Sequence, residues 1–179
     1  MTLPLHNYAL AILLLATIPF EGTNGSNLKS LHFSLFQHET INKTAYVIVN
    51  GVEGSGFTDT TAPFGTLAVF QDSLTVTANR SSKLVGIAEG TAITSSLDGL
   101  RCISIAKLTL RLKNHRGSVS IVGGTNNAKP SDHPVVGGTE DFLFVQGYIT
   151  TSPVDVKGVS VVYKIEFHLY WPPYATQTS

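Results

Sequence analysis

Apolar and polar residues alternate with a period of two along most of the chain, in short runs rich in Val, Ile, Thr, Phe and Tyr that Gly, Pro and Asn interrupt. The pattern predicts strands near Ser30 to Glu39, Ala45 to Val52, Thr66 to Asp72, Lys83 to Ser95, Arg101 to Lys113, Ser118 to Val122, Phe142 to Ser152 and Val159 to Tyr170. In the last run Val161, Tyr163, Ile165, Phe167, Leu169 and Trp171 fall on one side of an extended chain, with Lys164, Glu166 and His168 on the other. One face is dry and one is wet. The run Ala106 to Lys113 sets Ala106, Leu108, Leu110 and Leu112 against Lys107, Thr109, Arg111 and Lys113, and a slip in phase before Ala106 predicts a bulge. Hairpin turns are expected at Leu97-Asp98-Gly99 and at Asn114-His115-Arg116-Gly117.

Antiparallel strands joined by short turns leave aggregation-prone edges unless the sheet pairs or closes. The expected fold is therefore all-β, an eight-stranded antiparallel up-and-down barrel, which is just wide enough to hold one small ligand at its mouth. The longest irregular segments, Asn50 to Phe64 and Gly123 to Val136, are the expected loops around that mouth. A chain of 179 residues, 42% hydrophobic and 13% charged, suits one core. Its 12 basic and 12 acidic residues leave no net field to draw nucleic acid or an anionic membrane, and a small neutral ligand fits that balance.

Residues 1–25 hold an apolar run from Tyr8 to Phe20 and then turn polar and glycine-rich, as a secretory signal does, which leaves 26–179 as a single domain. The run is shorter than the roughly 20 residues that span a bilayer. A lone cysteine, Cys102, permits no intramolecular disulfide. Asn24, Asn42 and Asn79 each open an N-x-S/T triplet, and glycans are expected at Asn42 and Asn79.

His38-Glu39 lacks the second histidine of a zinc-protease helix, since position 42 is Asn, and His32, His115, His133 and His168 show no ligand spacing, so no metal site is expected. The glycine-rich segments lack the lysine and helix of a phosphate cradle, and no serine elbow is present. What remains is carboxylates near strand ends: Glu39, Asp72 and the pair Glu140-Asp141. At the rim of an apolar cavity such a group is partly desolvated, which raises its pKa and suits it to proton transfer near neutrality.

The blocks FQHET (36–40), PFGTLAVFQDSLT (63–75), SSKLVGIAEG (81–90), SSLDGL (95–100), PVVGGTEDF (134–142) and VVYKIEFHLY (161–170), in this order, resemble the plant dirigent family from about Leu31 to Tyr170. The resemblance implies a secreted barrel of the dirigent or allene oxide cyclase-like kind, a homo-oligomer (dimer or trimer), acting without cofactor on a phenolic intermediate in the apoplast. Members resembling this chain either orient coniferyl alcohol radicals, supplied by an external oxidase, toward optically active lignans, or dehydrate an isoflavanol to a pterocarpan through a quinone methide. The family's acid near the end of the first strand falls on Glu39, beside His38, and the acid after Val-Gly-Gly-Thr falls on Asp141. Two positions depart: Gln146 stands where arginine is usual in lignan-forming members, and Thr91 lies where a tyrosine often lines the pocket. A less polar cavity favours the isoflavanol dehydratase reading, with Glu39 and Asp141 as proton-transfer groups and His38, Gln146 and Thr91 as binding residues. The alternatives are a non-catalytic lignan guide and a non-enzymatic cell-wall binding barrel that uses Tyr170, Trp171 and Tyr174.

Overall fold

The period-two runs become strands β1 (Lys29–Thr40), β2 (Ala45–Val49), β3 (Leu67–Thr75), β4 (Leu84–Thr94), β5 (Arg101–Arg111), β6 (Arg116–Asn126), β7 (Ser131–Gly138), β8 (Gln146–Lys157) and β9 (Ser160–Trp171), with 3-10 turns at Glu140–Phe142 and Pro173–Thr176. This computed structural model describes residues 28–52, 58 and 60–176. The signal segment 1–25, the Asn24 triplet, positions 53–57 of the first glycine-rich segment and the Tyr174 side chain lie outside the described residues. Neighbouring strands pair antiparallel in the order β1-β9-β8-β7-β6-β5-β4-β3, and β1 returns to β3 through Phe36 to Thr75 and His38 to Ser73. The expected barrel of eight antiparallel staves is therefore closed. β2 adds no stave: it continues along the same edge of β3 beyond β1, setting Ala45 against Phe70 and Val49 against Leu67. Between the two, Asn42 turns the chain with a φ of 60°, a left-handed conformation that asparagine tolerates better than most residues.

Three expectations are corrected. Of the segment 123–136 only the turn 127–130, whose Asn127 lines the cavity, is a loop at the mouth, because β6 runs on to Asn126 and β7 begins at Ser131; Gly, Ser and Pro conceal the alternation that places His133 and Val135 beside the lumen and core. The strand expected from Phe142 starts at Gln146, because residues 140–142 wind into a 3-10 turn that seats Phe142, fully buried, in the core. No bulge precedes Ala106: β5 keeps unbroken register with β4 and β6, and Ile103 and Ile105 simply face outward, exposed.

Inward side chains are mostly small toward one end of the barrel and large toward the other, Tyr163 being the exception in the small half. On β5 they run Cys102, Ser104, Ala106, Leu108, Leu110, and on β9 they run Val161, Tyr163, Ile165, Phe167, Leu169, Trp171. The large end is packed solid by Leu35, Leu74, Leu110, Phe142, Phe167 and Trp171, and the Phe33 ring stacks on Phe167 with centroids 4.3 Å apart. At the small end Ala45, Ala68, Ala88, Ala92 and Ala106 leave the lumen open.

Candidate functional site

The open half is a cavity of about 710 Å³, within the range that encloses a small aromatic molecule. Its walls are largely apolar, with Phe70, Ile121, Ile149 and Ile165 among them. Thr58, Thr60 and Thr61 stand at its mouth, where Asn127 ties the loop down by donating to the Thr60 carbonyl at 3.0 Å. Part of the 50–64 segment thus borders the mouth, as its sequence suggested.

Glu39 reaches this cavity because it lies two residues beyond Gln37 on β1, and both share the inward face with their β9 partners Val161 and Tyr163. The Arg80 guanidinium fixes the end of the strand by donating to the Glu39 carbonyl at 3.0 Å. Burial pushes the Glu39 carboxyl up to about 7, and the negative charge of Asp72 adds to the effect. Asp72 is buried on β3 and accepts a hydrogen bond from Gln37 Nε2 at 2.7 Å. Its Oδ1 has no hydrogen-bond partner among the described residues. Burial raises the Asp72 pKa as well, but the nearby Thr44 hydroxyl, the Gln37 hydrogen bond and the charge of Arg80 pull it back. The Tyr163 phenol is pushed well above its ordinary value, first by burial and then by Glu39, Asp72 and Cys102, so it remains a neutral donor. One wall therefore carries a carboxylic acid that holds its proton near neutrality and a phenol, with a second acid, Asp72, buried behind it and bearing an unpartnered oxygen. That arrangement can protonate a leaving oxygen inside an apolar chamber.

Of the five residues singled out from the sequence for the reaction, Glu39 alone lines the cavity. Asp141 is exposed at the other end of the barrel, its carboxylate accepting the Arg116 backbone N–H at 2.8 Å. Strand register gives the separation: Glu39 pairs with Val161 and the neighbouring Gln146 with Tyr170, positions about 30 Å apart along β9 at roughly 3.3 Å per residue. Glu39 and Asp141 cannot act on one small molecule, and the pairing expected from the sequence is corrected: the acid beside Glu39 is Asp72. Gln146 is exposed at the same far end. His38 lies between two inward residues and so turns to the outer face, where it is 3% exposed and its Nε2 lies 2.7 Å from Thr75 Oγ1. Burial, then Arg80, lowers its pKa. Thr91 also faces outward, between exposed Val69 and Ile105, and donates to the Ala68 carbonyl at 2.7 Å. Asn42 at the cavity mouth and Asn79 in the β3–β4 hairpin are exposed.

Gln37, Tyr163, His133 and Thr151 also line the cavity, although no motif in the sequence marks them as site residues. Tyr163 carried a signal, a phenol in the middle of an otherwise hydrocarbon face; His133 sat in a segment read as loop. Trp171, proposed for a wall-binding barrel, is 4% exposed in the core, where no polymer can stack on it.

A closed antiparallel barrel, half plugged and half open to an apolar cavity, belongs to the class of cavity-bearing antiparallel β-barrels. Residues 30–170 match the family of Dirigent-like proteins, and the chain belongs to that family. Dirigent protein 1 of Arabidopsis thaliana is 26% identical over 156 residues, covering 86% of this chain and 84% of that protein. Pterocarpan synthase 1 of Glycine max is 29% identical over 120 residues, covering 65% and 64%. Among solved structures, that of a pterocarpan synthase dirigent protein superposes with a TM-score of 0.70 at 21% identity, covering 80% of this chain and 91% of that one, a likeness of fold.

Proposed function

We propose that this protein imposes stereochemistry on a phenolic intermediate by dehydrating an isoflavanol-type substrate and closing its ring. The observation that carries the proposal is a carboxyl group, Glu39, titrating at about 7 on the wall of an apolar cavity of about 710 Å³. The likeness to proteins named pterocarpan synthase supports the choice of substrate.

In this reading Glu39 gives its proton to the benzylic hydroxyl, the C–O bond breaks, and water leaves. The electron pair of the conjugated phenol oxygen fills the deficit as an O-protonated quinone methide, the phenol keeping its own proton and the Glu39 carboxylate balancing the charge. The oxygen of the neighbouring phenol then attacks the benzylic carbon, and its proton returns to the Glu39 carboxylate. The balance is one substrate to one product and one water, with the acid restored and no cofactor required. Asp72 raises the pKa of Glu39, Tyr163 donates a hydrogen bond to the departing oxygen, and the apolar walls keep bulk water from trapping the intermediate. Positioning of the attacking ring provides the stereocontrol. Residues 1–25 serve as a secretory signal, 26–179 act in the extracellular space, and Asn42 and Asn79 carry glycans.

The test is conversion of an isoflavanol by purified protein with no oxidase present, followed by chiral chromatography. One enantiomer of the ring-closed product is expected. Failure to turn over the isoflavanol, together with enantioselective lignan formation from coniferyl alcohol only when an oxidase is added, would establish the guiding role instead.

A further inference from the structure

His133 is 1% exposed, lines the cavity and takes no part in the acid wall described above. It stands on β7, which in the cyclic order of eight staves lies four places from β3, the strand of Asp72, by either route. The imidazole therefore faces the acids across the lumen. Its Nε2 lies 3.0 Å from the hydroxyl of Thr151, also in the cavity wall. Its Nδ1 has no hydrogen-bond partner among the described residues and is turned toward Gly123, where a Cβ would come within 3.2 Å of it. Burial lowers the His133 pKa, against a smaller opposite effect of Asp132, so the ring is neutral. A neutral imidazole carries one N–H. We assign the proton to Nε2, the tautomer that leaves Nδ1 as an unmet acceptor and not as a buried N–H without an acceptor. Nε2–H then donates to Thr151 Oγ1, and the threonine hydroxyl proton is left to point into the lumen.

We infer that Thr151, oriented by His133, is a hydrogen-bond donor that anchors an acceptor oxygen on the far ring of the bound aromatic molecule. The inference rests on the proposed function for the class of ligand and adds what the second wall recognises. The cavity has two polar poles, an acid pole that reacts and a donor pole that selects, separated by hydrocarbon. An ether, hydroxyl or carbonyl oxygen at the end remote from the leaving group fixes which face of the substrate meets Glu39. Thr151 touches the ligand; His133 is a positioning residue.

The test uses unreactive probes: an isoflavan lacking the benzylic hydroxyl, with and without a methoxy group on the far ring, each titrated calorimetrically into full-length protein. The wild type is expected to bind the methoxylated probe more tightly by about fivefold. Thr151→Val, nearly isosteric, is expected to erase that preference while leaving affinity for the bare isoflavan unchanged. His133→Phe is expected to weaken the preference and His133→Gln, which restores an N–H near the same place, to recover part of it. In turnover Thr151→Val is expected to raise KM and to lower the enantiomeric purity of the product, since the substrate then meets Glu39 by either face. Equal binding of the two probes by wild type, or equal loss for both in Thr151→Val, would overturn the inference while leaving the Glu39 chemistry standing. Binding of neither probe would overturn both readings.

Discussion

Burial, and after it the charge of Asp72, together lift the Glu39 carboxyl to about 7, so the folded protein holds this proton more tightly than the unfolded chain, whose carboxyl titrates near 4.5. Raising the pH from about 4.5 to about 7 therefore removes stability from the wild type that Glu39→Gln does not lose. The melting temperature of Glu39→Gln relative to wild type is expected to rise across that window in paired thermal scans. His38 and His133, lowered by burial, act in the opposite sense below 6.5 but cancel in the comparison. Asp72→Asn removes a neighbouring negative charge, so the alkaline limb of the rate profile is expected to move to lower pH. Asp141→Asn, far from the lumen, is expected to leave turnover within about twofold of wild type, as substitutions away from the reacting groups do. Glu39 was legible from the sequence as an acid closing an apolar strand. His38 was misread because adjacent strand residues face opposite ways, and the phase of β1 is settled only by its pairing with β9.

At the level of strands, the gradient of inward side-chain size divides the barrel into a plug and a chamber. Leu110 is fully buried in the plug, so Leu110→Ala is expected to cost about 2–5 kcal/mol in chemical denaturation. Ala106 borders the empty half, where added bulk meets space; Ala106→Leu is expected to change stability by less than about 1.5 kcal/mol while abolishing ligand binding in calorimetry. Equal destabilisation by both substitutions would deny the division. The alternation of β9 and the second half of β5 was readable because each strand buries one face. β7 was not, because Ser131, Pro134 and two glycines (137 and 138) carry no hydrophobic signal and its place depends on pairing with β6 and β8. The Ile103 and Ile105 pattern has another cause: there the outer face of β5 is apolar while the inner face carries Cys102 and Ser104, and period-two logic assumes a wet outer face.

For the molecule as a whole, closure of the sheet followed from strand number and short turns, whereas the ends of the barrel did not, since no local pattern states which mouth a loop borders. The apolar outer face bears on the homo-oligomer that the family resemblance implies. Across β2 to β5, exposed Tyr46 pairs with Val69 and exposed Ile93 with Ile103, beside Ile48 and Ile105; a patch of this kind is commonly covered by another protein surface. We propose a second copy of the chain as its partner. Light scattering is expected to give an oligomer for wild type and a smaller species for Ile105→Asp, and a single-chain mass for wild type would refute it. The central claim is that one acid in the open half of the barrel drives the reaction. Single-turnover dehydration of an isoflavanol, measured for wild type and Glu39→Gln between pH 5 and pH 9 (about two units either side of neutrality), tests it directly. A rate at least about tenfold lower in Glu39→Gln, with loss of the limb that wild type shows near pH 7, is the predicted result; an undiminished rate with the same profile would contradict it.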